Sequence, residues 1–220
     1  MEYFFNDKVQ NALQSKSNFN ESLINIIQFD ILEDMLDILS GIALSAASKN
    51  VRVLYIRSNP MNAFPTINIH ENTDISYYQL EYIKFQYLCD YNEMVRYWSS
   101  VHCSNDFASL IIMENFDSAI ENFPPDNRNV GFSRLSALLR CSIEFIKSQN
   151  GFCKLIVATK RSAEFRNLLP LFYDNFWNIT QCSTDEKGRK CLAIKNVWEK
   201  YLVSFIKTGD DIIFNEAEFN

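Results

Sequence analysis

Short apolar runs alternate with stretches of helical periodicity along the first two thirds of the chain. Four runs are almost continuously apolar, which predicts strands buried on both faces of a parallel sheet. They span residues 23–29, 51–56, 110–113 and 155–158. Between them, apolar positions recur at helical spacing and predict helices over about residues 30–48, 76–99 and 132–149. Asp30 is the expected cap of the first helix, and Gly151 is the expected stop of the third.

The last third of the chain has a different pattern. Short runs there predict strands separated by turns at residues 185–188 and at Gly209, which suits an antiparallel or mixed extension of the sheet. The predicted strands are 178–182, 190–194, 201–207 and 211–214, with one further short strand at 67–69. Residues 1–22 are polar and predict an irregular lead, so 23–220 forms one domain.

The order of these elements predicts the fold class. Strands alternating with helices favour a doubly wound α/β sheet with helices on both faces. Ligands of such sheets bind beyond the carboxyl ends of the strands. The strand ends of interest are therefore Phe29, Arg57, Glu114 and Thr159.

Composition narrows the functional classes. The chain has 220 residues, of which 47% are hydrophobic, enough for a full core. A net charge of −6 argues against a general polyanion binder, although a local basic patch stays possible. No apolar run reaches the roughly 18 residues that span a membrane, and the polar start predicts no secretory leader.

The six cysteines and two histidines give no pattern typical of a metal site. No cysteine belongs to a C-x-x-C pair, so we expect small core residues in a reducing compartment, the cytosol or nucleus. His70 and His102 lack partners at metal-ligand spacing, and neither a zinc site nor a cysteine–histidine nucleophile is expected.

The most specific signal is the absence of a phosphate-binding loop after the first strand. A nucleotide-hydrolysing protein of this class carries G-x-x-x-x-G-K-S/T at that place. Here no glycine occurs over residues 29–40 and no basic residue over 17–48, and the string occurs nowhere else in the sequence. The helix start carries acids instead, which repel phosphate. These acids are Asp30, Glu33, Asp34 and Asp37. We predict no catalysis and no bound cofactor or metal.

Residues 77–98 hold more aromatic side chains than one buried helix face needs. Exposed aromatic surface commonly marks a protein interface. Tyr78, Tyr82 and Phe85 are the candidates for a partner interface, and packing in the core is the equally open alternative.

Several segments together resemble a known family, the eukaryotic recombinase paralogues of the RecA/RadA superfamily. VRVLYIRSN resembles the second core strand of that family, and LIIMENFDSAIENF resembles the strand of its magnesium site. RLSALLRCSIEFIKSQNGFCKLIVATKR resembles the next helix and strand. FYDNFWNITQC, KCLAIKN and the ending KNVWEKYLVSFIKTGDDIIF resemble the C-terminal strands, the last as in the smallest paralogues. Glu114 stands where the family has Asp, and Lys160 falls near the usual Gln.

The resemblance implies a RecA-like three-layer core, with a mostly parallel central sheet and antiparallel C-terminal strands. It also implies that two loops face DNA, one carrying Arg128 and Arg134 and the other Lys160, Arg161 and Arg166. Solvated loop charge is the alternative interpretation of these residues. For Glu114, a strand-end acid satisfied by neighbouring backbone amides is preferred over residual metal binding or water activation.

Loss of the phosphate loop is a feature of Shu-type paralogue subunits. By resemblance, we expect a non-catalytic nuclear subunit that promotes recombinase filament assembly in homologous recombination and DNA repair. Its partners would be another recombinase paralogue, a SWIM-domain protein, the recombinase filament and, through the complex, DNA; a cytoplasmic location stays possible.

Two other functions stay open. One is a RecA-like pseudo-ATPase scaffold in another complex, such as the Elongator accessory ring of tRNA modification. The other is an NTPase or transferase with an unorthodox phosphate site near Asp30 or Glu114.

Overall fold

The computed structural model describes residues 23–61, 77–114, 116–161, 164–184, 189–198, 201–208 and 211–219. Within these ranges nine strands form one sheet. The strands are β1 (Ile24–Phe29), β2 (Val53–Arg57), β3 (Ile83–Tyr87), β4 (Leu110–Met113), β5 (Lys154–Lys160), β6 (Asn175–Thr184), β7 (Lys190–Asn196), β8 (Tyr201–Thr208) and β9 (Asp211–Phe219). The helices are α1 (Leu32–Ser48), α2 (Tyr77–Leu80), α3 (Tyr91–Ser99), α4 (Ser118–Glu121), α5 (Arg128–Asn150) and α6 (Leu169–Phe172). Short 3-10 turns occur at Val101–Cys103 and Pro125–Asn127.

The strand order is β3-β2-β4-β5-β1-β6-β7-β8-β9. All pairings from β3 to β6 are parallel, and those from β6 to β9 are antiparallel. The predicted fold class, a mostly parallel α/β sheet with antiparallel C-terminal strands, is therefore confirmed.

The sheet is the middle of three layers. Helix α1 packs on one face, where its apolar residues join those of the strands in one buried cluster. Helices α3, α4, α5 and α6 contribute to the buried cluster on the other face. All six residues of β1 are buried, as expected for a central strand covered on both sides.

The single helix predicted over residues 76–99 is wrong. The structure divides this segment into helix α2, the edge strand β3 and helix α3. Ile83 to Tyr87 pairs in parallel register with β2, and the side chain of Asp90 caps α3 by accepting from the Glu93 amide at 2.8 Å. The aromatic spacing also fits helical periodicity, but pairing with β2 and the Asp90 cap favour a strand and a new helix start.

Helix ends also differ in part from expectation. The N-cap of α1 is Ile31 rather than Asp30, and it makes no side-chain capping bond. The third predicted helix is α5, which is longer at both ends than expected. It ends at Gly151 as predicted, with that residue in the left-handed region at φ 77°.

The expectation that the cysteines fill the core is wrong for most of them. Cys153 is buried and Cys191 is half-buried, whereas the remaining four are exposed. These four are Cys89, Cys103, Cys141 and Cys182. His102 is exposed in a 3-10 turn.

Some predictions fall outside the described residues. They concern the lead 1–22, the strand 67–69, His70, the turn 185–188 and Gly209. In the described ranges, no helix is both long and apolar enough to cross a membrane.

Candidate functional site

The carboxyl edge of the sheet begins with a very short passage from β1 to α1. Only Asp30 and Ile31 lie between the last strand residue and the first helix residue. Asp30 accepts from Arg161 Nη1 through both carboxylate oxygens, at 3.3 and 3.2 Å. This leaves no extended loop that could surround a phosphate group.

The first turns of α1 carry an ion-pair cluster, which we call the helix-start cluster: Asp34, Asp37, Lys190 and Lys207. Asp34 is almost fully buried, and its Oδ1 lies 3.3 Å from Lys207 Nζ and 4.0 Å from Lys190 Nζ. Lys207 Nζ also contacts Asp37 Oδ2. Asp34 and Asp37, two of the four acids noted in the sequence, are thus paired with lysines of β7 and β8 that lie more than 150 residues away along the chain.

The protonation of Lys207 follows from this pairing. Burial by itself lowers the pKa of the ammonium group, but the carboxylates of Asp37 and Asp34 outweigh burial and raise the pKa above its usual value. Lys207 is therefore charged throughout the neutral range.

A second cluster lies where β2 and β4 end, and we call it the strand-end cluster: Tyr55, Arg57 and Glu114. Glu114 Oε1 lies 3.3 Å from Arg57 Nη2, and Glu114 Oε2 accepts from the Tyr55 hydroxyl at 3.2 Å. The side chains of Arg57 and Glu114 are only 12% and 2% exposed. The sequence predicted a strand-end acid satisfied by backbone amides, whereas these two contacts of Glu114 are with the side chains of Arg57 and Tyr55.

Burial sets the protonation of this cluster. Desolvation raises the pKa of Glu114, while Arg57 and the Tyr55 hydroxyl lower it in part. Desolvation and the Glu114 charge raise the pKa of Tyr55 well above its usual value. Tyr55 therefore stays protonated and donates to Glu114.

The strand-end cluster occupies a switch point of the topology. After β2 the chain forms the next strand, β3, on one side of the pair β2 and β4. After β4 it forms the next strand, β5, on the other side. Such divergence between adjacent strands is where open α/β sheets bind ligands. Arg57 Nε and Nη1 are buried without a hydrogen-bond partner among the described residues. These two guanidinium nitrogens are suited to donate to a carboxylate or carbonyl oxygen. Glu114, in contrast, already contacts Arg57 and the Tyr55 hydroxyl.

The five predicted DNA-facing residues do not form one patch. Arg128, Lys160 and Arg161 line a depression of about 250 Å³, which also holds three acids, Asp117, Glu121 and Glu164. Arg134 and Arg166 are exposed and do not line it. The depression therefore has balanced charge rather than the positive field that attracts a nucleic-acid backbone.

Arg128 and Arg161 are also occupied within the chain. Arg128 donates to the carbonyl oxygens of Phe123 and Glu121 at 3.3 and 3.1 Å and lies 3.8 Å from Glu164. Arg161 pairs with Asp30, as described above. Lys160, Arg134 and Arg166 are the predicted residues that stay exposed for contact with a phosphate.

Asp117 is a site residue that the sequence interpretation missed. Its Oδ2 accepts from the Lys160 amide at 3.2 Å, and its Oδ1 is buried without a partner among the described residues. Desolvation raises its pKa, against the lowering effect of backbone amides. Its position three residues after Glu114, just past a strand, is the signal that could have identified it.

The aromatic candidates differ in exposure. Tyr78 is 79% exposed, whereas Tyr82 and Phe85 are partly buried and pack against the core on the α1 face. Phe85 contacts Tyr55, with ring centroids 5.5 Å apart. Only Tyr78 of the three therefore presents most of its surface to a partner. The apolar residues Leu80 and Tyr87, which follow it in sequence, are also exposed.

A larger cavity, of about 330 Å³, opens at the opposite edge, beside the amino ends of β2 and β4. Its lining includes Tyr82, Tyr97, Trp98 and Phe107. This cavity was not predicted, because its residues come from four separate segments that share no motif.

No group of three or more metal-ligating side chains occurs within the described part of the chain. No family model matches the chain, and no curated protein matches it. The chain is therefore an α/β domain with internal ion pairs at two places on the carboxyl edge of its sheet. One place is the start of α1, and the other is the switch point between β2 and β4.

Proposed function

We propose that this chain is a non-catalytic RecA-like subunit that acts by binding, as a recombinase paralogue of the Shu type. The observation that carries the proposal is the helix-start cluster. Asp34 and Asp37 stand in the first turns of α1, and both contact Lys207. In a nucleotide-hydrolysing relative, a phosphate would occupy this place.

The electrostatics support loss of nucleotide binding. A phosphate binds a helix N-terminus through free backbone amides, a favourable dipole and a nearby cation. At this helix start Lys207 is shared between two carboxylates, and Arg161 is paired with Asp30. A nucleotide would have to displace Lys207 from both, while its phosphates met two negative charges at close range.

The role in recombination comes from the resemblance. The chain would join another recombinase paralogue and a SWIM-domain protein in the nucleus and promote assembly of the recombinase filament. Tyr78 is the residue best exposed for that contact. DNA would be reached through the complex, because the acids around Arg128, Lys160 and Arg161 offset their charge.

Nucleotide titration tests the lost catalysis. A fluorescent ATP analogue is titrated with Mg²⁺ against the full chain, with an active recombinase as the positive control of the assay. We expect no saturable binding below the millimolar range and no hydrolysis. A micromolar affinity would contradict the proposal and favour the unorthodox NTPase.

Affinity purification tests the role. Tagged chain from its own cells should recover a SWIM-domain protein and recombinase, and a deletion should sensitise cells to DNA damage. Recovery of Elongator subunits instead would favour the scaffold of tRNA modification. Tyr78→Ala should reduce recovery, whereas Leu171→Ala should not, although Leu171 is also 66% exposed.

A further inference from the structure

Two cysteines lie at the same level of the pairing between β6 and β7. The register pairs Gln181 with Leu192 and then Ser183 with Cys191, so Cys182 is the extra residue of a β-bulge. A bulge sets two residues of one strand against one residue of the other. Cys182 therefore lies next to the position opposite Cys191.

The face of the sheet on which Cys191 lies follows from its neighbours on β7. Ile179 on β6 and Leu192 on β7 belong to the core under α1. Side chains alternate along a strand, so Cys191, next to Leu192, lies on the face away from α1. The bulge interrupts this alternation on β6 and sets both Cys182 and Ser183 against Cys191. Cys182 is exposed and Cys191 is half-buried.

The spacing of such a pair suits a disulfide. The register opposes Ser183 to Cys191, and directly opposed antiparallel residues have Cα atoms about 4.5–5.5 Å apart. Cys182, beside Ser183 in the bulge, faces the same partner, and disulfides span Cα distances of about 4.4–6.8 Å. The cysteines are free thiols in the structure. We propose that Cys182 and Cys191 form a reversible intramolecular disulfide, a modification site that responds to peroxide-class oxidants.

The reaction has two steps. The exposed Cys182 thiolate attacks hydrogen peroxide, which gives a sulfenic acid and releases hydroxide. The Cys191 thiol then attacks the sulfenic sulfur, the S–S bond forms and water leaves with the second oxygen. Two electrons pass from the thiols to peroxide, and a dithiol such as reduced thioredoxin returns the pair to its starting state.

The disulfide would affect how the C-terminal strands are held against α1. Lys190, next to Cys191, lies 4.0 Å from Asp34, and it pairs in register with Lys207 on β8. A bond between β6 and β7 would therefore fix the strand that presents these cations to α1. This inference does not depend on the proposed function.

Peptide mapping tests the proposal directly. Cleavage after Lys187, Arg189 and Lys190 separates the two cysteines into tryptic peptides 167–187 and 191–195. The full chain is treated with substoichiometric to tenfold hydrogen peroxide, alkylated and digested without reductant. We expect these two peptides joined by a disulfide as the main oxidised species, and their separation after treatment with dithiothreitol.

The other cysteines are internal controls. Cys141→Ser should leave the link intact, since Cys141 is exposed on a different element, whereas Cys182→Ser or Cys191→Ser should abolish it. Burial raises the pKa of Cys153 to about 12, so this thiol should stay reduced. Oxidation of Cys182 to sulfinic acid or to intermolecular dimers, with no linked peptides in the folded wild-type chain, would overturn the proposal.

Discussion

The helix-start cluster and the strand-end cluster use the same chemistry at one edge of the sheet, and their closest pairs are about equally buried, with side chains 14% and 3% exposed for Lys207 and Asp34 and 12% and 2% for Arg57 and Glu114. They differ in the number and the origin of their cations. Lys207 reaches Asp34 across 173 positions of the sequence, from the antiparallel extension. Arg57 and Glu114 come from adjacent parallel strands and are nearly inaccessible. The first cluster thus fastens the extension to the core, while the second closes the switch point between two strands.

Burial makes each pair matter, and a second cation beside the acid reduces the cost of losing the first. Removing one partner of a buried ion pair leaves a charge in a medium that solvates it poorly, whereas an exposed partner is replaced by water. Asp34 keeps Lys190 nearby when Lys207 is removed, whereas the ion pair of Glu114 is with Arg57, so the comparison predicts a larger loss of stability at the strand end than at the helix start.

The largest effect is expected for Arg57→Met. This change keeps a long side chain but leaves Glu114, which is 2% exposed, without its cation. The free energy of unfolding in urea at pH 7 should fall by about 3–5 kcal/mol. Arg52→Met is the matched control on the same segment: Arg52 pairs with Asp106, but these side chains are 53% and 68% exposed. Its loss should stay within about 1 kcal/mol, and equal losses in both variants would contradict the comparison.

A smaller loss is expected for Lys207→Met. Asp34 and Asp37 lose their closest cation, but Lys190 remains 4.0 Å from Asp34. The free energy of unfolding should fall by about 2 kcal/mol, with faster hydrogen exchange in β8 because the extension loses its contact with α1. Lys195→Met, at an exposed position of β7, should change neither quantity. If Lys207→Met lowered the free energy of unfolding as much as Arg57→Met does, the comparison would be contradicted, because the helix-start cluster would then matter as much to stability as the strand-end cluster.

The core of the fold could be predicted from the sequence because buried strands have a local signature. The runs at β1, β2, β4 and β5 contain almost no polar residue, and each became a strand. β3 was missed since its alternating sequence, Ile83 to Tyr87, also satisfies a helical spacing when read with its neighbours. The hydrogen-bonded pairing with β2 distinguishes a strand from a helix at this segment, and such pairing depends on residues that are distant in the sequence.

The candidate site was less predictable for the same reason. Glu114 was identified because it ends an apolar run, and the acids of α1 because they replace a known motif. Their partners could not be identified, since the contact between Asp34 and Lys207 depends on the register of β7 and β8. The charge balance around Arg128 likewise depends on which acids fold beside it.

The smallest effect is expected for Tyr55→Phe, which probes the strand-end cluster without removing its cation. Glu114 loses one hydroxyl donor but keeps Arg57, so the free energy of unfolding at pH 7 should fall by about 1 kcal/mol. The matched control is Tyr87→Phe on β3, at a 40% exposed position, with a change within about 0.5 kcal/mol.

The pH dependence of the Tyr55→Phe loss separates electrostatics from packing. The pKa of Glu114 is raised in the folded protein, so its protonated form contributes stability that is present below the unfolded pKa and is lost as pH rises through the folded pKa. Removing the Tyr55 hydroxyl, which lowers that pKa, should raise it further and widen this window. The difference in unfolding free energy between Tyr55→Phe and wild type should therefore shrink as the pH falls from 7 towards the unfolded pKa of a glutamate, because protonated Glu114 no longer needs a donor. A difference that stays constant with pH would mean that the hydroxyl contributes through packing, and the contrast between the two clusters would then rest on Arg57 alone.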